Sequence, residues 1–383
     1  MYRKICIFSG SRADYGILSP IMREIKKSSL LKMKLVVSNM HLSENFGSSI
    51  SEIEEDGFLI DKKINNLKNF NSQDKSFMGL NTGYLVTEFT QFLSNDEPDL
   101  ILVLGDRYEA FAAATASLLL NIPIAHIHGG EITQGAIDEQ MRHALTKMSH
   151  LHFCSTEDHR RRIIQMGESP ENVFNFGAPG IENIHQLKLL SKQKLEKSLN
   201  WSLKEPFALF TYHPTTLENR NLSDDLRKIC SLLEMKELKV LFTYSNSDNG
   251  GDKINLELEK FCKKNKNKYK IVKSLGRQKY LSALKLCNLM IGNSSSGIIE
   301  SGSFNKPVVN IGNRQKGRSH GKNVINCNID ELASSIDKAM EPTFRSEYCS
   351  QGNIYGGKDT SRKVVKVLES HKLNVTKFFF DIK

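Results

Sequence analysis

At 383 residues, with 53 lysines and arginines against 43 acidic residues and a formal charge of +10, the chain is long enough for two domains that each bury a core. No apolar run approaches the roughly 20 residues of a membrane-spanning helix. The opening MYRKICIFSGSRADYG is too briefly apolar, and lacks the small-residue cleavage site, for a secretory signal. A cytoplasmic protein without membrane contact is expected. The basic excess is dispersed, with runs only at 160–162 and 263–270 and no stacking aromatics or helix-turn-helix pattern beside them, which argues against nucleic acid as a partner. Seven scattered cysteines (Cys6, Cys154, Cys230, Cys262, Cys287, Cys327, Cys349) include no C-x-x-C and read as reduced, buried apolar residues rather than a disulfide framework or zinc site.

In chain order, residues 4–8 read as a strand, 9–16 as a polar, glycine-bounded turn, and Ile17, Leu18, Ile21, Met22 and Ile25 recur at helical spacing. A second strand is expected at 31–37, a loop at 39–47, a short helix at 50–55, a mobile polar loop at 65–76 and a helix at 77–93. The most informative stretch follows. An apolar run at 100–104 stops at Gly105-Asp106-Arg107, an alanine-rich helix comes next, and a second apolar run at 122–127 stops at His128-Gly129-Gly130-Glu131. This is one βαβ unit with polar groups at both strand ends. In open parallel sheets ligands bind beyond the carboxyl ends of the strands, so Asp106, Arg107, His128 and Glu131 should face one crevice. Asp138 and Arg142, at the start of the next helix, lie near enough to join them. Strands at 151–154 and 173–176 and a helix at 157–166 complete this half.

Residues 187–203, rich in Lys, Leu and Ser, mark the domain connection, and the pattern then starts afresh. Strands are expected at 207–211, 239–243, 269–272, 288–291 and 307–311, with helices near 224–233 and from 253 to about 264. The fold expected is α/β, with doubly wound domains at 1–185 and 200–365, a tail at 366–383, and the active site in the cleft between the domains. Neither half carries G-x-G-x-x-G or a P-loop, so no dinucleotide or triphosphate cofactor is indicated.

Three constellations suit chemistry. In Gly292-Asn293-Ser294-Ser295-Ser296-Gly297-Ile298-Ile299-Glu300, serines at a helix start suit a phosphate, and Glu300, one turn on, can accept both hydroxyls of a ribose. The bland alternative is an N-cap serine with a solvated glutamate. Arg12, in SGSRADYG, and Arg314 and Arg318, in GNRQKGR, follow strands and offer planar forks for phosphate oxygens, although each alone reads as a surface ion pair. The third set is Asp106, His126, His128, Glu131, Asp138 and His143. His126, His128 and Glu131 mimic a metal site, but their spacing matches no zinc signature, and no metal is expected. Asp138 has an alternative reading as an N-cap. Carboxylates held together in a closed site are what proton abstraction from carbon needs.

SGSRADYG, VLGDRYEAFAAATA, AHIHGGEITQGAIDEQMRHALTKMSHLHF, YHPTT, IGNSSSGIIE and NIGNRQKGR together resemble the hydrolysing UDP-N-acetylglucosamine 2-epimerases of sialic-acid biosynthesis and their relatives acting on N,N'-diacetylbacillosamine nucleotides in legionaminic-acid biosynthesis. The resemblance implies a GT-B architecture and a homo-oligomer, dimer or tetramer, working on a nucleotide sugar without metal or nicotinamide. It implies UDP contacts from Arg12, His213, Asn246, Asp252, Ser294, Ser295, Glu300 and Arg314, with His213 near the diphosphate where it can stabilise departing UDP, and catalytic roles for Asp106 and Asp138; Arg107, beside Asp106, is a further substrate-contact candidate. Many relatives read H-I-E-G-G-E where this chain has His126-Ile127-His128-Gly129-Gly130-Glu131, so either His128 or Glu131 takes the first glutamate's part. The expected reaction eliminates UDP across C1–C2 and hydrates the resulting 2-acetamidoglucal, releasing N-acetylmannosamine. A GT-B glycosyltransferase is the more distant alternative.

Overall fold

The structure, a computed structural model, describes residues 2–42, 50–66, 74, 76–133, 137–214, 222–245 and 251–382. The chain divides into two compact units: residues 1–131, 137–183 and 355–383 in the first, 132–136 and 184–354 in the second.

Strands of the first unit are β1 (Arg3–Ser9), β2 (Leu31–Ser38), β3 (Lys62–Ile64), β4 (Leu100–Leu104), β5 (Ile124–Ile127), β6 (Leu151–Cys154) and β7 (Val173–Asn175). They form one parallel sheet in the order β3-β2-β1-β4-β5-β6-β7. Side chains alternate across a strand, and both faces are covered, which is why these strands read as unbroken apolar runs. Ile5 and Ile7 of β1 pack with Leu18 and Ile21 of the helix Arg12–Lys27. Cys6 and Phe8 pack on the opposite face with Ala112 and Ala113 of the helix Tyr108–Leu119. The helix Thr360–Ser370 returns to this unit, placing Val364, Val365 and Leu368 in the first of these cores.

The second unit contributes β8 (Ala208–Thr211), β9 (Val240–Thr243), β10 (Tyr269–Val272), β11 (Leu289–Gly292), β12 (Val308–Ile311) and β13 (Val324–Cys327), all parallel, in the order β10-β9-β8-β11-β12-β13. Both sheets grow in one direction, return to their first strand and then grow in the other. That reversal defines doubly wound, Rossmann-like units. All seven cysteines are buried and unpaired. No helix among the described residues is long and apolar enough to cross a membrane.

The structure corrects the sequence reading in several places. The expected turn at 9–16 is largely helix: Ser11 accepts from Asp14 N–H at 3.2 Å as an N-cap, so the helix begins at Arg12. The connecting stretch contains a helix, Lys192–Leu199, capped by Ser191 and ended by left-handed Asn200. The edge strands β3 and β13 are absent from the sequence reading, since Lys62-Lys63-Ile64 is three residues with two lysines and Val324-Ile325-Asn326-Cys327 breaks its apolar run at Asn326. Most of the loop expected at 65–76 lies outside the described residues.

Candidate active site

In each sheet the chain's direction of winding reverses between the first strand and its neighbour, β1 and β4 in one unit, β8 and β11 in the other. Helices leave the two strands toward opposite faces, and a crevice opens beyond their carboxyl ends. The first crevice has Gly10-Ser11 on one side and Gly105-Asp106 on the other. The second has Tyr212-His213 and Asn293-Ser294.

Beyond β5 the chain turns sharply. His128 adopts φ of 64° and Gly130 φ of 75°, and a Cβ on Gly130 would come within 2.5 Å of the His159 carbonyl, so only glycine fits there. The turn folds Glu131 back onto His128, with Nδ1 2.5 Å from Glu131 Oε1. Ser155, directly after β6, places Oγ 2.8 Å from the same Nδ1 and donates to Glu131 Oε1 at 3.5 Å. From the helix Ile137–Met148, Arg142 is 3% exposed; it donates to Asp106 Oδ2 and lies 3.6 Å from Glu131 Oε2. One guanidinium thus holds two of the expected carboxylates. Asp138, a turn before Arg142, has its pKa raised above the ordinary value by burial and then by the charge of Asp106. Asp106, His128, Glu131 and Asp138 therefore form one polar cluster with Arg142.

The remaining polar residues of this unit separate into structural and nearby groups. His126 is fully buried, its Nε2 2.7 Å from the Gly105 carbonyl, and burial pushes its pKa down to about 3, so it is a neutral strut beneath the turn. Among the described residues, no group of three His, Cys, Asp or Glu is arranged to hold a metal ion. Arg107 clasps buried Glu109 with two bonds of 3.1 and 3.0 Å, and its charge also reaches Asp138. Asp14, which sequence reasoning passed over, accepts from Gly10 N–H at 3.2 Å, and burial raises its pKa to about 6 despite Arg107. Arg12 is well exposed and paired with Glu52 at 2.8 Å.

In the second unit the organiser is Asn293, 1% exposed. Its Oδ1 accepts from His213 N–H at 2.7 Å, and its Nδ2 donates to the His213 carbonyl at 2.8 Å. Its own carbonyl accepts from Arg314 Nη1 at 3.2 Å and Gln315 Nε2 at 2.8 Å. Gly292 must be glycine, because a Cβ there would sit 1.9 Å from the Thr211 carbonyl. Close approach of β8 and β11 thereby brings His213, Ser294, Ser295 and Arg314 around one residue. The helix Ser295–Ile299 is a single short turn capped by Ser294, and Glu300 is its C-cap rather than a residue inside it. Ser296 Oγ donates to Glu300, whose pKa is raised by burial against the opposing influence of Ser296 and Arg277. Asp252 stands exposed in the first turn of the helix Gly251–Lys264. Asn246 lies outside the described residues. Ser155 and Asn293 could have been found by the rule that found Asp106, since both directly follow a strand's carboxyl end.

A family profile described as UDP-N-acetylglucosamine 2-epimerase matches residues 23–369. The chain is 38% identical over 365 residues to a GDP/UDP-N,N'-diacetylbacillosamine 2-epimerase (hydrolyzing) of Campylobacter jejuni, with 95% of this chain and 94% of the relative covered. It is 36% identical to the polysialic acid biosynthesis protein P7 of Escherichia coli, with 99% and 98% covered. The crystal structure of UDP-GlcNAc 2-epimerase from Neisseria meningitidis bound to UDP-GlcNAc has a TM-score of 0.81, covering 95% of this chain and 99% of that one at 16% identity, a likeness of fold.

Proposed function

The chain belongs to the UDP-N-acetylglucosamine 2-epimerase family, two Rossmann-like units of GT-B kind, and from that premise we propose that it is a hydrolysing nucleotide-sugar 2-epimerase. The observation that carries this assignment is the gathering of Asp106, Asp138, Glu131 and His128 around Arg142 at the strand ends of the first unit. Inverting C2 of a 2-acetamido sugar requires breaking a C–H bond. A base takes the C2 proton, the electron pair forms C1=C2, and UDP leaves with the C1–O electrons. Water then bonds to C1, losing a proton to a base, while an acid protonates C2 from the opposite face. Asp138, with its raised pKa, suits the acid, and Asp106, ion-paired with Arg142, suits the base. In the second unit His213, Ser294, Ser295 and Arg314 suit the departing diphosphate, and Glu300 the ribose. No step needs a metal or redox cofactor. The enzyme is assigned to the cytoplasm as a homodimer or homotetramer.

For the sugar, UDP-N-acetylglucosamine, giving N-acetylmannosamine and UDP, is one reading. The Campylobacter relative favours a second, with UDP- or GDP-linked N,N'-diacetylbacillosamine as substrate. Nucleotide release measured on all three substrates separates them. Turnover in heavy water is expected to place deuterium at C2, and oxygen-18 water to label the sugar rather than the nucleotide. A glycosyltransferase hydrolysing its donor gives the oxygen label alone. Product that keeps its C2 hydrogen and gluco configuration overturns the epimerase assignment.

A further inference from the structure

We infer that His128, through Nε2, is the base that takes the proton of the attacking water in the hydration step, beside Asp106 and Asp138, and that Glu131 and Ser155 are positioning residues acting through it. The inference rests on the epimerase reading and divides the labour within that site. An ionised Glu131 can only accept, so at 2.5 Å the shared proton sits on Nδ1, and the Ser155 oxygen at 2.8 Å shares it. That fixes the tautomer: Nε2 carries the lone pair. The ring is held from the backbone as well, since His128 N–H donates to the Phe153 carbonyl at 3.1 Å. Nε2 is the one polar atom of this anchored side chain with no hydrogen-bond partner among the described residues, although it is buried. Enclosing a lone pair without a partner is unfavourable, a cost that a substrate hydroxyl or the attacking water removes on binding.

Glu131 is placed differently. Oε1 is engaged by His128 and Ser155, and Oε2 faces Arg142 at 3.6 Å, so both oxygens are committed to the protein. The other charged or titratable groups around the ring and its carboxylate are Arg142, His159 and Arg162 of the helix Glu157–Gln165, and His126 beneath. Burial pushes His159 down to about 4 and His126 to about 3, so both rings stay neutral near neutral pH. The proton cycle closes without another reactant: Nε2 accepts a proton from water as its oxygen bonds C1, and the imidazolium, steadied by Glu131, returns it to solvent or substrate.

The test uses the full-length enzyme, first shown to epimerise with deuterium entering C2; absence of that activity in the wild type counts against the function, not against this division of roles. Glycine and asparagine both tolerate the left-handed backbone of residue 128. His128→Asn keeps the turn and controls for folding, with thermal unfolding and UDP binding expected near wild type. His128→Gly leaves a ring-sized space, and its kcat is expected to fall about 10²- to 10⁴-fold and to recover at least tenfold with added imidazole. Glu131→Gln is expected to lower kcat by a smaller factor with KM unchanged, and to shift the pH dependence of kcat, because the amide no longer steadies the imidazolium. A purely structural glutamate would leave that dependence where it was. The inference is overturned if imidazole does not restore His128→Gly while acetate restores Glu131→Ala, or if Glu131→Gln leaves the pH dependence of kcat unmoved.

Discussion

Replacing Asn293 by alanine tests whether one buried amide organises the nucleotide side of the enzyme. Two hydrogen bonds to the His213 backbone, at 2.7 and 2.8 Å, are lost, whereas the Asn293 carbonyl that holds Arg314 and Gln315 remains. A bond of this kind is worth about 1 kcal/mol net, and a buried group left unmet costs about 1–3 kcal/mol. His213 is only partly buried, so water can reach its freed N–H and C=O, and the lower part of that range applies: about 2–3 kcal/mol in total. The chain's single tryptophan reports this unit alone. Trp201 is buried there, donating Nε1–H to the Asn267 carbonyl at 2.9 Å. Its fluorescence during urea unfolding should show the midpoint falling at unchanged slope, and calorimetry should show UDP binding weakened roughly tenfold, about 1.4 kcal/mol. Asn293→Asp keeps the acceptor for His213 N–H but cannot donate to its carbonyl, and buries a charge, so it should be no better than alanine. An unfolding midpoint within error of wild type for Asn293→Ala would refute the organising role, whatever happened to UDP affinity.

Five further outcomes are expected. Glu300→Gln should weaken UDP binding by about 1–3 kcal/mol in calorimetry with the fold intact; an unchanged affinity removes Glu300 from the ribose site. Asp106→Asn and Asp138→Asn should each slow turnover about 10²- to 10⁴-fold while UDP still binds. Because the Asp106 charge helps to raise the Asp138 pKa, the residual activity of Asp106→Asn should lose its protonated acid at lower pH than wild type does, seen as an alkaline limb moved downward. Glu168, despite burial, is held at about 2 by His152, Lys147 and Lys377; its folded pKa lies below the ordinary 4.5, so its stabilisation is full above pH 4.5 and is lost as pH falls toward 2. Glu168→Gln should flatten the acid-unfolding curve in that window. Activity should survive exhaustive chelation, and loss followed by recovery on added zinc or magnesium would require a metal in the mechanism.

The sheets were legible because both faces of each are covered. A buried parallel strand must be apolar at every position, and the runs at 100–104 and 289–291 declare themselves without alternation. The edges obey no such constraint. Lys62-Lys63-Ile64 pairs with β2 through its backbone, and Lys63 remains exposed, so nothing in the side chains announces a strand. The start of the helix at Arg12 was obscured for a related reason. Gly10 and Gly16 bracket a polar segment that resembles a turn, and only the Ser11 hydroxyl reaching Asp14 N–H shows that the helix has already begun.

Position beyond a strand located most of the candidate site residues, but it could not say which way they point. Asp106 and Arg107 are adjacent, yet Asp106 meets Arg142 from another helix while Arg107 turns to Glu109. The discriminating quantity is the cost of burying charge. Glu109 is 1% exposed on the Ala-rich helix and needs a cation within reach, and Arg107, two residues before it, is the one that the helix geometry supplies. With Arg107 committed, Asp106 and Glu131 must share Arg142, a residue 36 positions along from the first of them, and no local pattern encodes that sharing. The same reasoning separates the two histidines of the His126-Ile127-His128 strand end. Alternation puts them on one face, but His126 lies within β5, where the sheet supplies the Gly105 carbonyl, while His128 lies past its end, where the left-handed turn hands it a carboxylate instead. A neutral strut and the proposed proton carrier thus arise two residues apart from where the sheet stops.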